Sequence, residues 1–344
     1  MKLGPYDALR RIAYLLERSR AGTYRVKAFR AAAATVLETD PEELASRAAA
    51  GTLTELPGIG SSTEAVIRET LEGAIPAYLT SLEDRATAPL VDGGLEVRAA
   101  LRGDLHSHSD WSDGGSPIQE MVVTAMDLGH EYLVLTDHSP RLLVAKGLSS
   151  ERLSKQLRVV EQINPAVGDF RLLKGIEVDI LDDGSLDQSV EMLSQLDLRV
   201  ASVHSKLAMP AAAMTRRMIA AVQTPHTNVL GHCTGRLVEG ERGTRGQSTF
   251  DAAAVFEACA AHEVAVEINS RPERCDPPDE LVALALEAGC LFSIDSDAHA
   301  PGQLDFQISG CARAERMGGP VERIVNTWKI DRLLAWATPA AGPA

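Results

Sequence analysis

After residue 100 one pattern recurs along the chain: a short β-branched or aliphatic run, then a helix-like stretch rich in Ala, Leu, Glu and Arg. Seven such runs can be marked: Leu101–Leu105, Tyr132–Leu135, Leu172–Ile176, Leu198–Val203, Asn228–Leu230, Val264–Ile268 and Cys290–Ile294. A helix between two strands carries the chain back across the sheet, so the next strand runs parallel to the last. Roughly 240 residues of this alternation predict an α/β fold, a closed or nearly closed β/α barrel. No internal sequence repeat and no low-complexity tract interrupts it.

The residues at the ends of these runs carry the chemistry. The first ends in Asp104-Leu105-His106-Ser107-His108, with Asp113 five residues on. The second ends in Thr136-Asp137-His138, the third in Gly175-Ile176-Glu177, the fourth in Val203-His204 and the fifth in Gly231-His232. The seventh ends in Asp295-Ser296-Asp297-Ala298-His299. The C-terminal ends of parallel strands converge on one mouth, so these side chains are expected to meet. A lone histidine is more often a packed or surface residue, but six of the nine histidines fall at such ends together with Asp113, Glu177 and Asp297.

Imidazole and carboxylate donors suit Zn, Mn or Fe, and no paired cysteines suggest a structural thiolate site. His106, His108, Asp113, His138, Glu177, His204, His232, Asp297 and His299 outnumber the ligands one ion can take. Two or three divalent metal ions are therefore expected, with at least one bridging carboxylate. The remaining histidines, His130, His226 and His262, precede strands and are expected at the opposite, structural face.

The first ninety residues read as helices. Leu9, Ile12 and Leu16 lie at helical spacing, as do Val26, Phe29, Ala33 and Val36. Asp40-Pro41-Glu42-Glu43 is a helix start, with Asp as N-cap and Pro at the first position. Leu56-Pro57-Gly58-Ile59-Gly60 is a tight turn before a helix from about Ser61 to Leu71. Residues 84–100 lose this periodicity. The expected organisation is a helical domain over 1–84, a linker over 85–100 and the barrel over 101–344.

Charge separates the two parts. Residues 1–36 hold eight basic side chains (Lys2, Arg10, Arg11, Arg18, Arg20, Arg25, Lys27, Arg30) against Asp7 and Glu17, a local +6 that leaves −20 for the rest of a chain whose net charge is −14. A basic first part can meet a polyanion, and acid in the second part includes candidate metal ligands. No apolar run approaches the ~20 residues that span a bilayer, and no signal-peptide core is present. Five cysteines without a C-x-x-C pair fit reduced thiols, so a cytoplasmic protein with no membrane partner is expected.

Over roughly residues 101–335 the chain resembles the polymerase and histidinol phosphatase (PHP) superfamily. The resemblance rests on Asp104-Leu105-His106-Ser107-His108, Thr136-Asp137-His138-Ser139, Gly175-Ile176-Glu177-Val178-Asp179, Ser202-Val203-His204-Ser205, Gly231-His232 and Asp297-Ala298-His299. It implies a distorted seven-stranded β/α barrel of metal-dependent phosphoesterases, with three metals at the C-terminal face. One ion would lie among His106, His108, Glu177 and Asp297. A second would take Glu177 as a bridge with His204 and His232, and a third Asp113, His138 and His299.

Within that superfamily the chain is most similar to the C-terminal part of bacterial family-X DNA polymerases, through Gly231-His232-Cys233-Thr234-Gly235-Arg236 and Glu267-Ile268-Asn269-Ser270-Arg271-Pro272-Glu273-Arg274. The segments Leu9–Glu17, Tyr24–Arg30 and Leu56–Gly60 resemble the same polymerases' N-terminal domain with its helix-hairpin-helix. The polymerase core and its Asp-x-Asp are missing between the two parts, so polymerisation is not expected. Ser61–Val66 holds no lysine of the kind sugar-phosphate lyases use, so lyase activity is not expected either.

The resemblance implies a phosphate-containing substrate, with hydrolysis at nucleic-acid ends by a 3′–5′ exonuclease or 3′-end-processing activity. Glu177, Asp297 and His299 would act at the ions, and Lys174, Arg236 and Arg274 would bind the remaining phosphate oxygens. DNA phosphates would meet the backbone N–H groups of Gly58, Ile59 and Gly60, with Arg25, Lys27 and Arg30 nearby. Two alternatives stand beside it: a small-molecule phosphomonoesterase of the histidinol phosphatase kind, and a DNA-binding scaffold whose metal is structural.

Overall fold

The computed structural model describes residues 3–240 and 243–338, so Lys2 lies outside the described residues. The chain divides into two compact units: the residues up to Pro89 with Ala300–Gln303, and Leu90–His299 with the residues from Leu304 onward.

The first unit is helical: α1 (Pro5–Arg18), α2 (Thr23–Glu38), α3 (Pro41–Ala50), α4 (Ser61–Leu71) and α5 (Ala77–Ala86). Pro5 opens α1, where a missing N–H goes unnoticed, and Ala8, Leu9, Ile12, Ala13, Leu15 and Leu16 form its buried stripe. Asp40 caps α3 by accepting from the N–H groups of Glu42 (2.8 Å) and Glu43 (3.3 Å), and Gly51 ends it in the left-handed conformation. The turn before α4 needs glycine at position 58: φ is +75°, and a Cβ there would come within 3.1 Å of the Ala31 methyl. Leu9, Ile12, Leu16, Phe29, Leu53, Ile67 and Leu79 make the core, each worth about 1.5–3 kcal/mol of burial.

The second unit holds the sheet. Its strands are β1 (Gly103–Ser107), β2 (Tyr132–Leu135), β3 (Arg171–Asp179), β4 (Leu198–Ser202), β5 (Val229–Leu230), β6 (Ala265–Asn269) and β7 (Phe292–Asp295), all parallel and paired in chain order. β3 is longest; Arg171–Lys174 pair with β2 and Gly175–Asp179 with β4. Ser107 bridges Ala298, and the His108 N–H donates to the Ala298 carbonyl at 2.8 Å, so the last strand returns beside the first and nearly closes the barrel. The helices between are α6 (Leu95–Ala100), α7 (Ile118–Asp127), α8 (Ser150–Ile163), α9 (Val190–Leu193), α10 (Ala211–Val222), α11 (Ala252–Ala261) and α12 (Asp279–Glu287), followed by α13 (Gln307–Arg316) and α14 (Ile330–Ala337).

Strand alternation divides the apolar residues into two layers. Ile176, Val178, Val266, Ile268, Phe292 and Ile294 face the helices and pack with Met214, Met218, Val255 and Phe256. Tyr132, Val134, Leu173, Leu198, Val200, Val229 and Ala265 face inward near the strand starts and cluster with Val325, Trp328 and Leu333. The Arg199 guanidinium and the Asn228 amide donate to the carbonyl of Ala337 (2.8 and 3.0 Å), which fixes the end of α14 there.

All seven expected strands form, with ends shifted by up to three residues. The stretch over 85–100 differs from a plain linker, because Leu95–Ala100 is helical. The Glu315 carboxylate accepts from the N–H groups of Gly94 (2.6 Å) and Glu96 (3.2 Å), a cap supplied from far along the chain. Among the described residues no helix is long and apolar enough to cross a membrane.

Candidate metal centre

The ligands lie at or just past the C-terminal ends of six of the seven strands, β6 alone contributing none of the nine. In β1, Asp104 pairs with Leu133 but Ser107 with Leu135, so three steps on one strand match two on the other. Such a bulge re-aims side chains, and it sends His106 and His108 toward the same carboxylates. Asp297, just past β7, has φ +49°, a left-handed conformation that aspartate tolerates better than most residues. Gly114 closes the loop that carries Asp113; a Cβ there would meet Ser109 backbone at 2.6 Å.

Glu177 is the hub. Its carboxylate oxygens lie 2.7 Å from His232 Nε2, 2.8 Å from His138 Nδ1, 3.1 Å from His204 Nε2, 3.3 Å from His106 Nε2 and 3.5 Å from His108 Nε2. Asp113 Oδ1 stands 3.4 Å from His138 Nε2 and 3.3 Å from His299 Nε2. Asp297 Oδ1 is 3.4 Å from His108 Nε2, 3.5 Å from His299 Nδ1 and 3.9 Å from His106 Nε2. The nine expected ligands thus come together.

The donor set fits divalent cations. The Nε2 atoms of His106 and His108, Nδ1 of His138, both ring nitrogens of His204 and one oxygen of Glu177 are buried without a hydrogen-bond partner among the described residues. Two ligands held about 2.0–2.2 Å from one ion lie roughly 3.0–3.4 Å apart, close to many of these separations. Three groups have donor atoms mutually near enough to share an ion: His108, Asp113, His138 and His299; His106, His108 and Asp297; and His138, Glu177 and His204. His108 therefore sits with the Asp113 group as well as with His106 and Asp297.

Protonation follows the crowding. Burial opposes the charge of Glu177, yet His204, His138 and His106 hold its carboxyl well below the usual range. Burial likewise opposes the charge of Asp297 and of Asp113. His106, with His108 alongside, keeps Asp297 ionised, and His138 and His299 do the same for Asp113. Burial, then His299 and His138, push His108 down to about 3, so its ring is a neutral lone-pair donor.

Behind these residues lies a supporting layer that reading the sequence did not single out. Glu267 Oε1 is 2.6 Å from His106 Nδ1, which holds a proton on that nitrogen and turns Nε2 toward Glu177. The Glu267 carboxylate also accepts from the His232 N–H at 2.5 Å. Asp137 accepts from the N–H (2.9 Å) and hydroxyl (2.6 Å) of Ser109 and from the Gln156 amide (2.6 Å). Arg217 of α10, fully buried, donates to the carbonyls of Leu181 (2.9 Å) and Ser205 (2.9 Å) beside the loops that leave Glu177 and His204.

The expected phosphate-binding cations fare unequally. Lys174 is not brought to the centre: it sits an odd number of residues before Glu177 on β3, so it faces the other way and donates to Glu161 of α8 at 2.5 Å. Arg274 does reach it, donating from Nε to Asp297 Oδ2 at 3.1 Å. Arg236 directs Nε to the carbonyls of Arg274 and Cys275, both at 3.1 Å, and so props the segment that carries Arg274. Arg271, not singled out from sequence, lies 2.9 Å from His299 Nδ1.

In the helical unit the expected DNA contacts are partly engaged. The Ile59 N–H donates to Leu56 (3.3 Å) and the Gly60 N–H to the Thr63 hydroxyl (2.9 Å), while the Ile59 side chain is buried in the core. Arg30 is forked onto the buried Glu17 at 2.9 and 2.8 Å. Arg25 and Lys27 are exposed. His130, His226 and His262 precede β2, β5 and β6 and stay apart from the cluster groups.

Residues 5–74 match the helix-hairpin-helix domain family and residues 104–271 the PHP domain family. The chain is 35% identical over 236 residues to the DNA polymerase/3′-5′ exonuclease PolX of Bacillus subtilis, covering 69% of this chain and 41% of that protein's length. It is 28% identical over 234 residues to the probable phosphatase YcdX of Escherichia coli K12, covering 65% of this chain and 89% of that one. The solved structure of a Lactococcus lactis histidinol phosphate phosphatase, complexed with zinc, L-histidinol and phosphate, aligns at TM-score 0.44 and 16% identity over 63% of this chain and 94% of that one. The chain carries a helix-hairpin-helix domain ahead of a PHP domain.

Proposed function

We propose that this chain is a multinuclear metal-dependent phosphoesterase that hydrolyses phosphate esters at nucleic-acid ends. The observation that carries the reading is the Glu177 hub, where five histidines meet one buried carboxylate and several ring nitrogens lack hydrogen-bond partners among the described residues. Two or three divalent ions (Zn, Mn or Fe) held there would lower the pKa of water and neutralise the charge that develops on phosphate oxygens. Glu177 links the groups, Asp113 and Asp297 anchor its two flanks, and Glu267 keeps His106 Nε2 aimed inward. Arg274, held by Asp297, is the cation that would meet a phosphate oxygen.

The nucleic-acid part rests on the helix-hairpin-helix match, on the exposed Arg25 and Lys27, and on the likeness to a relative described as an exonuclease. A small phosphomonoester is the second reading. It is favoured by the −20 charge outside residues 1–36 and by the alignment over 89% of a relative described as a probable phosphatase.

The full chain with Mn²⁺ or Zn²⁺ would be given end-labelled single-stranded DNA and, separately, p-nitrophenyl phosphate. Shortening or end-trimming of the DNA supports the first reading. Turnover of the small ester alone transfers support to the second, and activity that survives metal depletion sinks both.

A further inference from the structure

The loop that carries Asp113 and the loop that leaves His138 are tied together by one helix. α8 presents Arg152 and Gln156 one turn apart on the same face. The Arg152 guanidinium donates to the carbonyls of Lys146 (2.5 Å), Gly147 (3.2 Å) and Trp111. Trp111 stands two residues before Asp113. Lys146 and Gly147 close the loop that starts at His138, and the Leu148 N–H returns to the His138 carbonyl at 2.7 Å. A parallel link runs through Gln156, which holds Asp137 as Asp137 holds Ser109 and Ser112.

These loops build the most open of the three ligand groups. Side-chain exposure is 36% for Asp113 and 20% for His299, against 2% or less for His106, Glu177 and Asp297 of the other two groups. Asp113 rides on loop backbone rather than on a strand, so its distance from His138 depends on how the two loops are held. A guanidinium is well suited to holding them. Its planar fork makes several charge-assisted hydrogen bonds to carbonyls in fixed directions, which a lysine ammonium cannot reproduce.

We propose that Arg152 is a positioning residue for the outer group formed by His108, Asp113, His138 and His299, setting its affinity for one divalent ion without touching that ion. The proposal rests on the metal-dependent reading above.

The test uses the full chain, stripped of metal by a chelator and titrated with Mn²⁺ by calorimetry, with bound metal counted after equilibrium dialysis. Wild type fills all its sites. Arg152→Ala is expected to weaken one binding step by about 10–100-fold while the others hold. In the phosphoesterase assay the Mn²⁺ concentration for half-maximal rate rises, and kcat returns at saturating Mn²⁺. Arg152→Lys shows the same single-step loss, smaller. Unchanged affinity, or an equal loss at every step, overturns the proposal. Should the alanine variant not fold, the lysine variant decides in its place, and unchanged affinity there overturns the proposal too. Wild-type protein that binds no Mn²⁺ removes the metal-dependent reading itself and this proposal with it.

Discussion

Glu267 Oε1 lies 2.6 Å from His106 Nδ1, a carboxylate behind a histidine whose other nitrogen faces the Glu177 hub. Glu267→Gln keeps the shape but removes the charge that fixes the tautomer. Metal affinity is expected to fall by about 10–100-fold, read as bound Zn²⁺ after dialysis at fixed free metal. Wild-type retention of zinc would remove Glu267 from the centre's supporting layer.

Glu177→Ala and His106→Ala are expected to bring p-nitrophenyl phosphate hydrolysis to background in a folded protein. The apolar layers near the strand starts do not involve either residue, so far-UV circular dichroism should match wild type. Turnover by the Glu177 variant in metal-free buffer would refute the mechanism.

Lys174→Ala should leave kcat and KM unchanged, because its ammonium serves Glu161 on the outside of the barrel. The pair is solvent-screened at the surface, so the urea midpoint should scarcely move. A large fall in kcat would place the side chain at the centre after all.

Arg30→Ala takes the cation away from the buried Glu17 carboxylate, which keeps the Gly302 N–H at 2.8 Å. Removing one partner of a buried ion pair costs on the order of 3 kcal/mol, and the loss should appear in urea unfolding of the helical unit. Arg30→Lys, which cannot fork, should recover only part of it. Stability equal to wild type in the alanine variant would show that Glu17 is satisfied without the pair.

Burial, then the adjacent Arg98, push the pKa of His130 down to about 3. In the unfolded chain it titrates near about 6.5, so the fold prefers the neutral ring. Its contribution to stability is complete above that pH and is lost as pH falls toward 3. His130→Gln, which can still accept from Arg98, should flatten the decline in unfolding free energy below about pH 6.5 relative to wild type. Parallel declines in the two proteins would rule His130 out as a source of acid sensitivity.

Much of the fold and of the centre is legible in the sequence because it is written locally. Apolar runs such as Tyr132–Leu135 and caps such as Asp40 act within a few residues, and parallel topology alone gathers residues at strand ends. The hidden features depend on partners far apart in sequence. The cap of α6 comes from Glu315, the proton on His106 is fixed by Glu267, and Arg30 is engaged by Glu17. Lys174 misleads for a different reason: it lies near a motif, but the parity of its position on β3 turns it to the other face.

The floor laid by Val325, Trp328 and Leu333 beneath the inward residues of the strands makes the barrel a cup rather than a tube. Among the described residues that end of the barrel is filled with packed apolar side chains, so the ligand cluster is approached from the rim.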